Sequence, residues 1–189
     1  MFQVRFHGRG GQGVVTAAEL LAHSAFDEKR YAAAFPSFGS ERTGAPVVAF
    51  CRISTEPIRV REPIMNPDAL IVQDSTLFKQ VDVFAGLNSD GYVLINSTRT
   101  FRELGIEDLV GNNPRFVTVP ATAIAMEHLG RPLPNAVLLG AFAALTGEIS
   151  LHSVTDAITE KFKAKIAAGN CAAATAAYEY IMSKAGAHA

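Results

Sequence analysis

Two cysteines, Cys51 and Cys171, are all that the 189 residues contain, and they stand far apart with no CxxC. That spacing excludes a cysteine framework for an iron–sulfur cluster or a zinc site held by this chain alone. The five histidines (His7, His23, His128, His152 and His188) form no H-x-H, H-x3-H or HExxH pattern, so a self-contained metal site is not expected. Neither sign of charge is in excess. With 17 basic and 18 acidic residues the net charge is −1, which argues against nucleic acid or an anionic membrane as the main partner. Long hydrophobic runs are missing too: the longest, residues 136–145, contains Gly140 and falls far short of the ~20 residues of a membrane span. The first ten residues hold no apolar h-region, so no signal peptide is expected, and unpaired cysteines without an export signal point to the cytoplasm. Tryptophan is absent, and charged residues reach only 19% against 49% hydrophobic ones. Such a chain is neither disordered nor a solvated coil; one domain over residues 1–189 is expected, with part of its apolar surface given to a partner chain.

What is present is an alternation of strand-like and helix-like segments. Residues 2–7 alternate weakly and lead straight into Gly8-Arg9-Gly10-Gly11-Gln12-Gly13, after which Val14, Ala17, Ala18, Leu21, Ala22 and Ala25 recur at helical spacing. Further strands are predicted over 31–35, 47–53, 69–73, 92–96 and 116–119, with a weaker one over 57–61. Helices are predicted over 75–84, 100–109, 121–129, 135–145, 153–166 and 172–184. This order implies an α/β fold: a Rossmann-like three-layer domain with a largely parallel sheet and helices on both faces.

Strand, glycine turn, helix is an arrangement that receives phosphate. The glycines permit tight turning and close backbone approach, and the helix N-terminus offers unpaired N–H groups and about half a positive charge. Gly8, Gly10 and Gly13 satisfy G-x-G-x-x-G, and Arg9 is placed to add a phosphate contact. The other reading is that the glycines only permit a sharp turn against a neighbouring chain. A nicotinamide site also needs an acid ~20 residues on, at the next strand end. Residues 30–35 contain none, and Asp27 and Glu28 come too early. No Lys-Ser or Lys-Thr follows Gly13, so NTP hydrolysis is not expected.

A second polar loop, residues 37–46, carries Ser40, Glu41, Arg42 and Thr43. Loops after strands gather at the ligand edge of a doubly wound sheet, and Arg42 can fork onto a phosphate or carboxylate there or pair with Glu41. No G-x-S-x-G elbow and no Ser–His–Asp or Cys–His grouping stands out. Asp74 reads as a helix cap through Asp74-Ser75-Thr76, with a catalytic base as the alternative. His7 reads as strand-end packing and His128 as a helix-end residue. Asn135, after Pro132-Leu133-Pro134, reads as the N-cap of the helix that follows, with ligand contact as the alternative. These features describe a binding module for chemistry done elsewhere.

Four blocks carry a resemblance to a known family. Gly8-Arg9-Gly10-Gly11-Gln12-Gly13-Val14-Val15-Thr16-Ala17 resembles the opening of the gamma subunit of 2-oxoacid:acceptor oxidoreductases, of the pyruvate/2-ketoisovalerate:ferredoxin oxidoreductase type. Residues 37–47 resemble that family's aromatic–Gly–x–Glu–Arg–x–Gly–Ala–Pro–Val element, residues 67–74 its third block, and residues 135–141 its late Asn-(x)4-Gly-Ala helix start. At Ser40 and Thr43, where many relatives carry Pro and Arg, the chain differs, which leaves the identity of the 2-oxoacid and the electron acceptor open. The resemblance implies a complex that oxidatively decarboxylates a 2-oxoacid, reduces ferredoxin or another acceptor, and captures the acyl group on coenzyme A. Thiamine diphosphate with its Mg and the [4Fe–4S] clusters would sit on alpha, beta and delta-type partner subunits. This chain would help form the coenzyme A site through Gly8, Arg9, Gly10, Gly11, Gln12 and Gly13, with Ser40, Arg42 and Asn135 as further candidates. A stand-alone NAD(P)-dependent dehydrogenase and a purely structural adaptor are the competing readings.

Overall fold

The computed structural model of the chain describes residues 1–37 and 43–186. Six strands form one sheet: β1 (Phe2–Arg9), β2 (Tyr31–Pro36), β3 (Pro46–Ser54), β4 (Ala69–Val72), β5 (Tyr92–Asn96) and β6 (Phe116–Val119), in the order β2-β3-β1-β4-β5-β6. β1, β4, β5 and β6 pair in parallel, while β3 runs antiparallel to both of its neighbours. The sheet is therefore largely parallel, with one reversed strand. β4 and β5 are short apolar runs buried on both faces, as parallel strands covered on two sides require.

The helices are α1 (Val14–Asp27), α2 (Phe101–Leu104), α3 (Glu107–Val110), α4 (Ala121–Leu129), α5 (Asn135–Thr146), α6 (Leu151–Lys161) and α7 (Ala164–Gly186). They are distributed unevenly. Val4 and Phe6 of β1, Ile71 of β4 and Leu94 of β5 face the main core, which they share with α1 and α4 to α7. Leu70, Val72, Val93 and Ile95 face a smaller core closed by Leu77, Val83 and Val110. α5 is buried from Asn135 through Ala143, so it carries no polar stripe and lies between the sheet and α7. Gly140 is where those two helices touch: a Cβ there would overlap the backbone carbonyl of Ala174.

On the second face, β1 and β3 are covered by irregular chain rather than by a helix, and one arginine holds it. Arg5 is 7% exposed. Its Nη1 donates to the Ile64 and Met65 carbonyls, its Nη2 to those of Val83 (3.0 Å) and Ala85 (2.6 Å), and its Nε to His7 Nε2 (3.0 Å). To accept that bond His7 must be neutral. Burial, with Arg5 adding to it, pushes its pKa down to about 3. The strand-end packing expected of His7 is what the structure shows.

Several predicted boundaries shift. Residues 57–61 are not a strand: they pair with no neighbour and follow Arg52, which donates to the Val60 carbonyl. The helix predicted over 75–84 is a single 3-10 turn, Ser75–Lys79, capped by Asp74. The one predicted over 100–109 splits into α2 and α3 at Gly105, whose left-handed φ of 72° ends the first turn. The segment predicted as 153–166 breaks at Phe162, which takes an extended conformation and packs on the main core, so that Ala164 begins α7.

Gly140→Ala is expected to lower stability by about 2–4 kcal/mol, because neither backbone can give way, and denaturant melting would measure it. A second expectation concerns acid. Unfolded His7 takes up a proton below pH ~6.5, whereas the folded residue does so only near pH 3, so stability falls as pH drops from 6.5 towards 3. Between pH 6.5 and 5 that loss is about 1–2 kcal/mol. It should shrink in His7→Gln, which keeps an acceptor for Arg5, when urea midpoints are compared at the two pH values.

Candidate functional site

The carboxyl ends of β1, β4, β5 and β6 form one edge of the sheet, and α1, α4 and the 3-10 turn begin beside it. Residues 10–13 alone connect β1 to α1. Gly8 makes that short connection possible: a Cβ there would stand 2.5 Å from Val14 Cγ2 and 3.3 Å from Gln73 Cβ. Gly13 is the helix N-cap in the left-handed region, φ 69° and ψ 37°, and a Cβ there would stand 2.5 Å from Asn135 Nδ2. The two glycines thus let the first turns of α1 and α5 meet over the strand ends.

The turn is braced from three sides. The Arg9 N–H donates to Gln12 Oε1 (2.8 Å), the Gln12 N–H to the Arg9 carbonyl (3.0 Å), and Gln12 Nε2 to Asp74 Oδ2 (3.0 Å). Gly10 donates to the Ala45 carbonyl and accepts from the Gly44 N–H, which fixes the exit of the second loop against the first. The Arg9 side chain completes the brace. Its Nε donates to Asp74 Oδ2 (3.1 Å), its Nη2 to Thr76 Oγ1 (2.7 Å), and its Nη1 to the Gly44 carbonyl and Gln80 Oε1. Asp74 also caps the 3-10 turn by accepting the Thr76 N–H (2.9 Å), as the sequence predicts. Partial burial raises the Asp74 pKa, but the hydrogen bonds from Thr76 and Gln12 and the Arg9 charge outweigh it, so the carboxyl stays below its ordinary value.

The donors without an intrahelical partner are the first amides of α1. Gly13 supplies no side-chain cap, no acid lies in the first turn, and the first bond inside the helix runs from the Ala17 N–H to the Gly13 carbonyl. The N–H groups of Val14, Val15 and Thr16 therefore open toward a cleft of about 330 Å³ lined by Arg9, Gly10, Gly11, Gly13 and Val47 as well. This is a neutral-to-positive cradle for an oxyanion. Among the described residues its lining carries no carboxylate, histidine or cysteine, and its backbone amides are suited to binding and orienting an anionic group.

Gly8, Arg9, Gly10, Gly11, Gln12 and Gly13 are thus gathered in one turn, and Asn135 joins them from α5. Asn135 is not the cap expected of it. Pro134 occupies the N-cap position, Asn135 is the first helical residue, and its amide is turned towards Gly13. Ser40 and Arg42 lie outside the described residues. The Arg9 guanidinium, expected at a ligand phosphate, is bound to its own chain.

Sequence reasoning missed Gln73. It is 1% exposed and rooted beneath Gly8, and among the described residues its Oε1 and Nε2 have no partner. Its backbone is clamped: the N–H donates to the His7 carbonyl (2.7 Å), and its carbonyl accepts Asn96 Nδ2 (2.8 Å), which also bonds Thr122 at the start of α4. The signal was a polar residue closing each apolar run, Gln73 after ALIV and Asn96 after YVLI. The topology also bears on the dinucleotide reading. β2 lies at the sheet's outer edge, separated from β1 by the reversed β3, so no parallel strand beside β1 offers an acid to a ribose on that side.

Comparison with known proteins places this architecture. The sequence profile of the family described as pyruvate ferredoxin/flavodoxin oxidoreductase matches residues 3–180. The pyruvate synthase subunit PorC of Methanothermobacter marburgensis is 51% identical over 179 residues, covering 95% of this chain and 97% of that one. The pyruvate/ketoisovalerate oxidoreductases common subunit gamma of Pyrococcus furiosus is 46% identical, covering 95% and 96%. The crystal structure of pyruvate oxidoreductase subunit PORC from Thermotoga maritima superposes with a TM-score of 0.81 at 35% identity, covering 94% of this chain and 95% of that one.

Asp74→Asn tests the brace. It removes the charged acceptor of Arg9 and Gln12 and should cost about 1–2 kcal/mol at pH 7, discounted for partial exposure. Because the folded pKa is depressed, the wild-type advantage is present above the ordinary carboxylate value and is lost as pH falls through the folded one. Urea titrations at pH 7 and pH 3 should show the two proteins converging in acid.

Proposed function

The chain belongs to the pyruvate ferredoxin/flavodoxin oxidoreductase family, and on that premise we propose that it is the gamma subunit of a 2-oxoacid oxidoreductase complex and forms part of that complex's coenzyme A site. The overall reaction converts a 2-oxoacid, coenzyme A and an oxidised acceptor into acyl-coenzyme A, CO2 and reduced acceptor. Coenzyme A supplies the thiol that takes up the acyl group. The single observation that carries the reading is the cradle at the start of α1, where the first amides have no acceptor among the described residues, no acid lies in the first turn and a cleft stands in front of them.

Each residue of the turn has a part in this. The amides of Val14, Val15 and Thr16 hold a phosphate oxygen of the nucleotide, and Gly10 and Gly11 let it approach the backbone. Gly13 admits the Asn135 amide to the same edge, where it donates to or accepts from the ligand. Arg9 acts indirectly, by fixing the turn to Asp74, Thr76 and Gly44. Ser40 and Arg42, which lie outside the described residues, are assigned to the same site on the family resemblance alone. The chain acts as one gamma-type domain and is not catalytic alone: thiamine diphosphate, Mg and the [4Fe–4S] clusters sit on alpha, beta and delta-type partners, and ferredoxin or another acceptor is reduced there. Among the described residues no three His, Cys, Asp or Glu side chains come together as a metal site. The complex works in the cytoplasm, a reading supported by two unpaired cysteines.

Asn135→Ala in the assembled complex is expected to raise the Michaelis constant for coenzyme A about tenfold or more and to leave that for the 2-oxoacid unchanged. Steady-state kinetics on intact complex checks this. An unchanged coenzyme A constant with full assembly would instead favour a structural adaptor, and micromolar binding of NADH or NADPH by the chain alone would favour a dehydrogenase.

A further inference from the structure

β6 closes the sheet on the side away from β2, and its pairing with β5 leaves a defined set of backbone groups unused. The Val93 N–H donates to the Arg115 carbonyl and the Ser97 N–H to the Val119 carbonyl, and the parallel register sets Leu94 opposite Val117. In a parallel ladder both polar groups of alternate residues point the same way, so Val117 and Val119 face β5 while Thr118 and the Phe116 carbonyl face outward. Within the described residues no backbone group takes up the Thr118 N–H or carbonyl.

These groups do not look onto an open surface. They lie along a groove of about 470 Å³. Phe101 and Val110, from α2 and α3, form one wall and belong to the smaller core; Leu145 and Ile181, from α5 and α7, form the other and belong to the main core. A strand laid beside β6 would send alternate side chains to the two walls, so it must be apolar on both faces. Among the described residues the charged one in the lining is Lys184, whose Nζ stands 4.6 Å from the Tyr180 ring centroid and makes no ion pair, and none of the lining residues is a carboxylate. A second copy of this chain does not fit. Its own β6 is recessed between the same two walls, which would hold the two edges apart.

We propose that this groove seats an extended arm of a partner subunit, added to the sheet beside β6, apolar at successive positions and bearing a carboxylate for Lys184. The proposal rests on the reading of the chain as one subunit of a larger complex and says how one of its partners is held. The edge is far from the glycine turn along the strand order, with β4 and β5 between, so the arm serves assembly and leaves the coenzyme A cradle free.

Amide exchange read by mass spectrometry or NMR tests this on the wild-type chain, alone and in the complex isolated from its native source. The Thr118 amide is expected to exchange at least ~10-fold more slowly in the complex. Thr118→Pro removes a donor that β5 does not use, so it should weaken assembly about tenfold or more while Thr118→Val assembles normally. The arm is overturned if the complex forms with Thr118 exchanging as fast as in the isolated chain, if Thr118 is already protected in the isolated chain, or if Thr118→Pro assembles like the wild type. If no complex with 2-oxoacid oxidoreductase subunits can be isolated, the gamma-subunit reading falls, and the arm with it.

Discussion

The contact on which this structure depends is that of a helix standing on the end of a strand with no side chain between them. At Gly8 the first turn of α1 meets β1 so closely that a methyl group would collide with Val14 and crowd Gln73. Because the helix is that near, its first amides lie directly at the sheet edge, and because Gly13 has no Cβ, α5 can bring Asn135 to the same place. Everything that makes the edge a candidate site in the proposed reading follows from the two absent side chains. The hydrogen bonds of Arg9, Gln12 and Asp74 then keep in place a turn that glycine alone would leave loose.

The division of labour inside the turn runs against the usual expectation for an arginine in a glycine loop. A guanidinium next to a phosphate site is commonly read as the phosphate's counter-ion, yet here it is engaged by a carboxylate, a hydroxyl and a carbonyl of its own chain. In the proposed site the field for an anion comes chiefly from backbone dipoles, since Arg9, which also lines the cleft, shares its charge with Asp74. Such a field is fixed in direction and, unlike a side-chain cation, has no rotamer freedom to lose on binding.

Local features of the sequence were legible because they rest on short-range physics. Glycines in G-x-G-x-x-G, the apolar runs of β4 and β5 and the cap at Asp74 announce themselves within a few residues. Long-range choices did not. Nothing near Pro46–Ser54 says that this strand reverses and slips between β1 and β2, because that depends on the pairing of Val4 with Cys51 across the sheet. Asn135 carries the signature of a cap, but Pro134 takes that position, and its real contact lies far back in the chain at Gly13. The burial of Arg5 needs four carbonyls from two distant segments, which no local pattern can foretell. Family likeness over four separated blocks reached further than any of these, because it carries tertiary information that spacing lacks.

Arg5, His7 and Arg9 occupy alternate positions of one strand and so share one side of it. Arg5 grips the chain at Val83 and Ala85, Arg9 grips it at Asp74, Thr76 and Gln80, and the His7 carbonyl takes the amide of Gln73. The strand is in effect a rail to which the stretch from Gln73 to Ala85 is riveted at intervals along its length. The floor of the glycine turn and the irregular layer behind the sheet are thus fastened to the same strand, so that displacing one without the other requires breaking hydrogen bonds along β1.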